Sequence, residues 1–366
     1  MKIRAAVQMT EDGELTFCDM ELQKPRPDEV LVKIVACGIC HTDIMMQHHS
    51  GQYPFLLGHE GSGIVAETGS NVKDIAEGDA VIISYTSCGH CRACREKRPA
   101  LIRQGAFAEY VVVHRSSLVK VDPEMDIRCL APMGCGLMTG AGSVWNYLKP
   151  EKGSSIVIFG LGAVGFGAVA AAKQAGCGRI IAVDRIPERL ELAKKFGATE
   201  VIDVRKEKDR NTQKDGADMA ESIVNNGGRV DYGFDTTGNA ALLAVLPKVL
   251  KTDASACGVG GGFVDGFGWK CTDEGFSIPQ EMIPEMIRWY KKGQFPVENL
   301  IRFYPFEKVN SAMEAMKEHS KKEDLEYDQM TLVEYIDSFT GEPVKEHKSK
   351  PFGEVVGKQS KPVSPS

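Results

Sequence analysis

Cys88, Cys91 and Cys94 stand at C-x2-C-x2-C spacing within CGHCRACREKRPALIRQG, residues 88–105. Thiolates so spaced bind a tetrahedral metal ion, and a structural zinc needs a fourth ligand. No further Cys or His follows until His114, and His90 lies inside the first C-x-x-C turn. Three other segments offer ligands: CGICHTD (37–43), GHE (58–60) and MGCG (133–136). Cys40, His59 and Cys135 would form a Cys2His set, the composition of a catalytic zinc that keeps one position open for water or substrate. They lie far apart in sequence, so spacing alone does not assign them. Taken singly, each reads equally as a buried thiol or a hydrogen-bonded imidazole.

A second chemistry-bearing motif is GLGAVG, residues 160–165, with Gly160, Gly162 and Gly165 matching G-x-G-x-x-G. The string is weak alone, but here it follows the apolar SSIVIF and opens the small-residue run AVGFGAVAAAKQAG. Gly160 permits the tight turn, and Gly162 lets the backbone approach a pyrophosphate. Gly165 lets helix and strand pack closely, and the N-terminal turn beginning Ala163–Val164 faces the phosphates. Asp184 ends the next apolar run, at the distance expected of a ribose-binding acid. A carboxylate there repels a 2′-phosphate and favours NAD over NADP, although Arg185 beside it pulls the other way. The competing reading is a glycine-rich turn in a domain that binds no dinucleotide.

The elements that must hold these residues fall into two patterns. EVLVKIVACG (29–38), GSGIVAETG (61–69) and DAVIISY (79–85) read as β-strands bounded by turn residues, so residues 1–135 are expected to be mostly β. From residue 150 strands and helices alternate: SSIVIFG, RIIAVD, EVIDV, RVDYGFD and ASACGVG are the strands, and PERLELAKKFGA is a helix with Pro in its first turn. Apolar strands alternating with helices imply a parallel sheet covered on both faces. Pro247 should kink or end the helix in NAALLAVLPKVLK. MIPEMIRWYKKGQFP reads as an amphipathic helix, LIRFY as a strand and FEKVNSAMEAM as a helix. The last 26 residues, 341–366, lack hydrophobic periodicity and read as a polar mobile tail.

Composition bounds the function. The chain has 366 residues, 43% of them hydrophobic, enough for two ordinary domains. A formal net charge of -6 argues against nucleic acid as a partner. No apolar run is long enough to span a bilayer, and acidic residues appear too early for a signal peptide. A cytoplasmic protein with reduced thiols is the expectation.

Together, CGICHTD, QYPFLLGHEGSGIV, CGHCRAC, GCGLMTGAG, GLGAVG, AVDRIPERLELAKKFGATEVID and FPVENLIRFYPFEKVNSAMEAM resemble the zinc-dependent medium-chain alcohol dehydrogenases, most closely the aryl (benzyl) alcohol branch, over roughly residues 3 to 318. The resemblance implies an α/β fold: a Rossmann doubly wound parallel sheet plus a mostly β GroES-like catalytic domain. The corresponding division is 1–136 with 290–340 for the catalytic domain and 137–289 for the NAD-binding domain. It implies Cys40, His59 and Cys135 as catalytic zinc ligands and Glu60 behind the metal as an exchangeable ligand. Asp43 would orient His59. Thr42 would bond the substrate hydroxyl and start a proton relay, and His41 would lie near the pyrophosphate. Met45 stands where many relatives place a relay histidine; His48 and His49 nearby read as a polar surface loop. The implied reaction is oxidation of a primary aryl or allylic alcohol to an aldehyde with zinc and NAD. A zinc dehydrogenase of aliphatic alcohols or polyols, and a degenerate dinucleotide-binding protein without activity, remain open. Homodimer and homotetramer are both open as assemblies.

The chain departs from the family at three places. The fourth lobe ligand would fall at Ile102, and the segment before GAFAEYVVVH is short. FVDGFGWKCTDEGF is short where relatives carry a strand that often builds the dimer. Beyond the last helix the chain continues through YDQMTLVEYIDSF into its tail. Tyr85 is open between lining the substrate pocket and serving as a core aromatic.

Overall fold

Two large sheets carry the chemistry-bearing segments, and each follows from its own hydrophobic pattern. The computed structural model describes residues 1–49, 53–87, 91–95, 104–205, 215–259, 270–321 and 330–334. The tail at 341–366 lies outside them, as do Cys88, His90 and Ile102.

The first sheet is built around Glu29–Gly38, a β-branched run buried along most of its length. One edge pairs antiparallel with Glu60–Thr68, which continues to Ala80–Ile83 and then Leu118–Val121. The other edge is shared: residues 29–33 pair with Tyr110–His114, and residues 36–38 with Met330–Glu334. Met330–Glu334 also runs parallel to Ile301–Pro305. YDQMTLVEYIDSF thus contributes a strand of this sheet, which its sequence did not announce. Five residues from a polar stretch carry too little periodicity to be told from the start of a tail. The central strand shifts register between Ile34 and Ala36, just before the Cys37–Cys40 segment. Such irregularities re-aim the residues that follow.

The second sheet is wholly parallel, in the order Glu200–Asp203, Arg179–Asp184, Ser155–Phe159, Val230–Asp235, Leu250–Gly258. The helices Ala163–Ala175 and Pro187–Phe196 lie between its first strands in sequence. Strand order reverses on either side of Ser155–Phe159, and ligands of such sheets bind outside the carboxyl ends of the strands at that point. The helix expected across Pro247 is split into Ala240–Leu243 and Leu246–Val249, with Pro247 in the first turn of the second piece.

A shared apolar core joins the sheets. The helix Pro279–Lys291 turns Met282, Ile283, Met286 and Trp289 inward, a one-sided stripe of helical spacing. Trp289 meets Trp145 edge-on at 5.3 Å, and Phe295 continues the cluster to Phe196 at 5.8 Å. Among the described residues no helix is long and apolar enough to cross a membrane.

Candidate active site

The strand Glu29–Gly38 runs straight into Cys40 and the helix His41–His49. Its neighbour begins at Glu60, paired with Gly38, so His59 is delivered beside Cys40. Gly38 is required there, because a Cβ would stand 2.1 Å from the Glu60 carboxylate. Cys135 comes from a third direction. It is held in the turn between Ala131–Gly134 and the helix Gly136–Gly142. That turn lies backbone-to-backbone on the strand Ala80–Ile83: a Cβ on Gly134 would meet the Ile83 carbonyl at 2.2 Å, and Ser84 Oγ donates to the Gly134 carbonyl at 2.6 Å.

Ligand atoms of Cys40, His59, Glu60 and Cys135 thereby fall within 4.8 Å of one another. The two sulfurs are 4.0 Å apart. Two thiolates about 2.3 Å from a tetrahedral zinc lie roughly 3.8 Å apart, so the pair is already at ligand spacing. Asp43, 1% exposed, sets the imidazole. One carboxylate oxygen accepts the Gly58 N–H at 3.0 Å and faces His59 Nδ1 at 3.1 Å; the other accepts the Cys40 N–H at 2.9 Å. With Nδ1–H given to Asp43, the neutral imidazole would present its lone pair at Nε2, which is buried without a hydrogen-bond partner among the described residues. A carboxylate–histidine pair of this kind orients a metal ligand. An orphaned buried nitrogen beside two sulfurs and a carboxylate fits zinc and has no other evident purpose.

Electrostatics agree. A proton shared with Cys135 pulls the Cys40 thiol well below the ordinary thiol range and lifts Cys135 above it, so the pair readily holds one negative charge. Burial alone would lower the affinity of His59 for a proton, but Asp43 and Cys40 outweigh it and raise it well above the usual imidazole value. Burial, with the negative Cys40, pushes Glu60 up to about 8. Glu60 also accepts the Gly136 N–H at 3.0 Å. This excess of acidic groups in an apolar site is what a divalent cation relieves.

The helix Gly136–Gly142 connects this centre to the glycine loop. It packs against Ala163–Ala175, the helix opened by GLGAVG. Gly160 has φ +87°, and a Cβ there would strike Thr236 Oγ1 at 2.3 Å; a Cβ on Gly165 would meet the Gly160 carbonyl at 1.9 Å. At Gly162 a Cβ would meet nothing within 4 Å, so open space lies in front of the helix N-terminus. That cradle suits a pyrophosphate. Ala163 and Val164 form the first turn. Asp184 is 8% exposed at the end of its strand, and its oxygens accept N–H groups of Leu161, Arg185 and Ile186 at 2.6, 2.7 and 2.9 Å. It therefore ties the glycine loop to the second strand. Arg185 is half-buried beside it.

Other expectations fall differently. His41 is exposed and Thr42 half-buried in the first turn after Cys40. Met45 is 54% exposed, and His48 pairs with Asp12 at the surface. Tyr85 is packed as a core aromatic: it is buried, and its hydroxyl donates to the Ser277 carbonyl. Tyr85→Phe is expected to cost about 1–2 kcal/mol in urea unfolding, because it strands a buried carbonyl, while leaving the metal content unchanged. Of the lobe, Cys94 is described on the one-turn helix Arg92–Arg95 and Cys91 immediately before it, its carbonyl accepting the Arg95 N–H at 3.0 Å; Cys88 is not described.

Glu274 was not singled out from the sequence. It sits in a turn where Glu274, Gly275 and Phe276 all have positive φ. This turn is pressed against the helix after Cys135: Gly275 approaches the Thr139 carbonyl, and Thr139 Oγ1 donates to the Glu274 carboxylate at 3.5 Å. The charge of Glu274 acts on Cys135. DEGF reads as an ordinary polar turn, and only the fold brings it to the metal centre.

Known proteins are similar to this chain in sequence and fold. The alcohol dehydrogenase GroES-like domain matches residues 26–123, and the zinc-binding dehydrogenase domain matches residues 163–273. The chain is 30% identical to the geraniol dehydrogenase of Castellaniella defragrans, over 85% of this chain and 94% of that protein. It is 32% identical to the S-(hydroxymethyl)glutathione dehydrogenase of Haemophilus influenzae, over 87% and 95%. The crystal structure of benzyl alcohol dehydrogenase from Acinetobacter calcoaceticus matches with a TM-score of 0.80 and 32% identity, over 92% of this chain and all of that one. The expected pairing of a GroES-like region with a doubly wound parallel sheet is borne out by these matches and by the two sheets.

Proposed function

Because the chain belongs to the zinc-dependent medium-chain alcohol dehydrogenase family, with zinc and NAD as its cofactors, we propose that it oxidises primary aryl or allylic alcohols of the benzyl alcohol type to aldehydes. The observation that carries the chemistry is the buried donor set of Cys40, His59, Glu60 and Cys135 with its orphaned imidazole nitrogen. The substrate class rests on similarity to the benzyl alcohol and geraniol enzymes. In both of those alcohols the carbinol carbon stands next to a π-system.

In this reading Cys40, His59 and Cys135 hold the metal. Bound zinc supplies Lewis acidity toward the alcohol oxygen. Glu60, the fourth member of the donor set, would be the ligand that exchanges. Asp43 fixes the tautomer and ring plane of His59 and ties down the Cys40 backbone. Thr42, two residues beyond Cys40, takes the hydroxyl proton and passes it toward solvent past the exposed His41. Gly160, Gly162 and Gly165, with Ala163 and Val164, seat the pyrophosphate; Asp184 holds the ribose and Arg185 flanks it. The net change removes one hydride and one proton from the carbinol. With the division expected at 136/137 and 289/290, the reacting carbon would lie between the metal-holding half and the NAD-binding half.

An alcohol panel tests the substrate class: benzyl alcohol, geraniol, ethanol, sorbitol and S-(hydroxymethyl)glutathione, each with NAD. The expected result is kcat/KM for benzyl alcohol or geraniol about 100-fold above that for ethanol, the range that apolar pocket contacts provide. A preference for sorbitol or for the glutathione adduct would replace the aryl reading while keeping the zinc chemistry. NAD binding without turnover of any alcohol would favour the degenerate binding protein.

A further inference from the structure

The lobe at Cys88–Cys94 is not absorbed by the dehydrogenase chemistry. Its sequence lacks the fourth ligand of a closed tetrahedral site, since Ile102 stands at that spacing. The described part shows something more specific. Cys91 and Cys94 are three residues apart on a single helical turn, with their sulfurs 3.5 Å from one another. The Cys94 N–H is directed at the Cys91 sulfur, also at 3.5 Å. Cys91 is exposed and Cys94 half-buried, so one sulfur meets solvent and its neighbour stands behind it. Arg92 and Arg95 are exposed, and the stretch RACREKR, residues 92–98, carries four basic residues to one acidic, so the surroundings are cationic.

We propose that Cys91 and Cys94 form a redox-active dithiol that takes small anionic disulfides, of which glutathione disulfide is the type, and closes reversibly to a Cys91–Cys94 disulfide. The exposed Cys91 thiolate attacks one sulfur of the oxidant. A mixed disulfide forms and one glutathione thiolate leaves. Cys94 then attacks the Cys91 sulfur, the protein disulfide forms, and the second glutathione leaves. The protein loses two electrons and two protons; the oxidant gains both as two thiols. The sulfurs need to approach from 3.5 Å to about 2.05 Å, a movement that rotation of two side chains on one turn supplies. The cationic rim favours an anionic peptide disulfide over a neutral one.

The test uses the reduced, zinc-loaded full chain equilibrated in glutathione mixtures of increasing oxidation, quenched by alkylation and mapped by peptide mass spectrometry. The expected result is loss of two hydrogens in the Cys91–Cys94 peptide before Cys40 and Cys135 are affected, reversed by a thiol reductant. Cys94→Ser should stop the sequence at a Cys91–glutathione mixed disulfide, and Cys88→Ser should leave the Cys91–Cys94 linkage in place. The proposal is overturned if both thiols remain alkylatable at the oxidised end of the series, or if the linkage uses Cys88. It is also overturned if a second zinc per chain protects the thiols and is lost in Cys91→Ser.

Discussion

Cys135→Ser is expected to leave the chain without bound zinc and to lower alcohol turnover by roughly 10³-fold or more, the scale of several kcal/mol of Lewis-acid stabilisation. The wild-type chain, purified without added metal, should carry about one zinc at its catalytic centre. The argument is one of complementary need. His59 Nε2 is buried with no partner, Glu60 is buried and pushed up to about 8, and Cys40 carries negative character beside both. Without a cation the fold pays to desolvate these groups; with one, each becomes a ligand or a neighbour of a ligand. Zinc removal by a chelator should therefore lower Tm as well as activity, and returning zinc should restore both, because a ligand of the native state alone stabilises it by mass action. Elemental analysis of wild type and variant, beside melting curves with and without chelator, checks both claims. Full zinc content in Cys135→Ser would remove Cys135 from the donor set. The same logic grades a milder change. Asp43→Asn keeps every ligand but loses the carboxylate facing His59 Nδ1, and should weaken zinc binding about 10- to 100-fold in a chelator competition.

How much of this was legible beforehand depended on how far each signal reaches along the chain. The parallel sheet was readable because apolar strands, Gly160–Gly165 and the Pro187 helix start are local patterns with local causes. The donor residues could be named but not assembled. Cys40, His59 and Cys135 come from three elements, and the strand pairing that carries Glu60 to Gly38 is a property of register. Glu274 carried no sequence signal and Gly134 only its place beside Cys135, since their roles arise from contacts with residues fifty or more positions away. The strand Met330–Glu334 was missed for the opposite reason. Its pairing partners Gly38 and Ile301 supply the order that its own composition does not. Tyr85 stood between two readings that differ only in what lies opposite its hydroxyl, and the Ser277 carbonyl decides it.

Gly140→Ala is the substitution expected to separate metal binding from hydride transfer. Gly140 lies on the helix that starts at Cys135, and Gly167 on the helix that starts behind the glycine loop. Each faces the backbone of the other helix. A Cβ on Gly140 would stand 1.7 Å from the Val164 carbonyl oxygen, and one on Gly167 would stand 2.2 Å from the Leu137 carbonyl oxygen. Neither neighbour is a flexible side-chain end, so an added methyl group must push the helices apart by about 1 Å or more, an overpacking that typically costs about 1–3 kcal/mol. The functional cost follows from where the helices begin. The first carries the sulfur of Cys135 at its start, and the second carries Gly162–Gly165. Moving one against the other changes the spacing between the metal centre and the cofactor cradle without touching a ligand on either side. A misplacement of about 1 Å in such a pair lowers the rate about 10²-fold. The expected signature is a kcat reduced on that scale, near-normal zinc content and NAD affinity, and a lowered urea midpoint. Wild-type kcat in a folded Gly140→Ala chain would show that the helix contact does not set the geometry of the reaction.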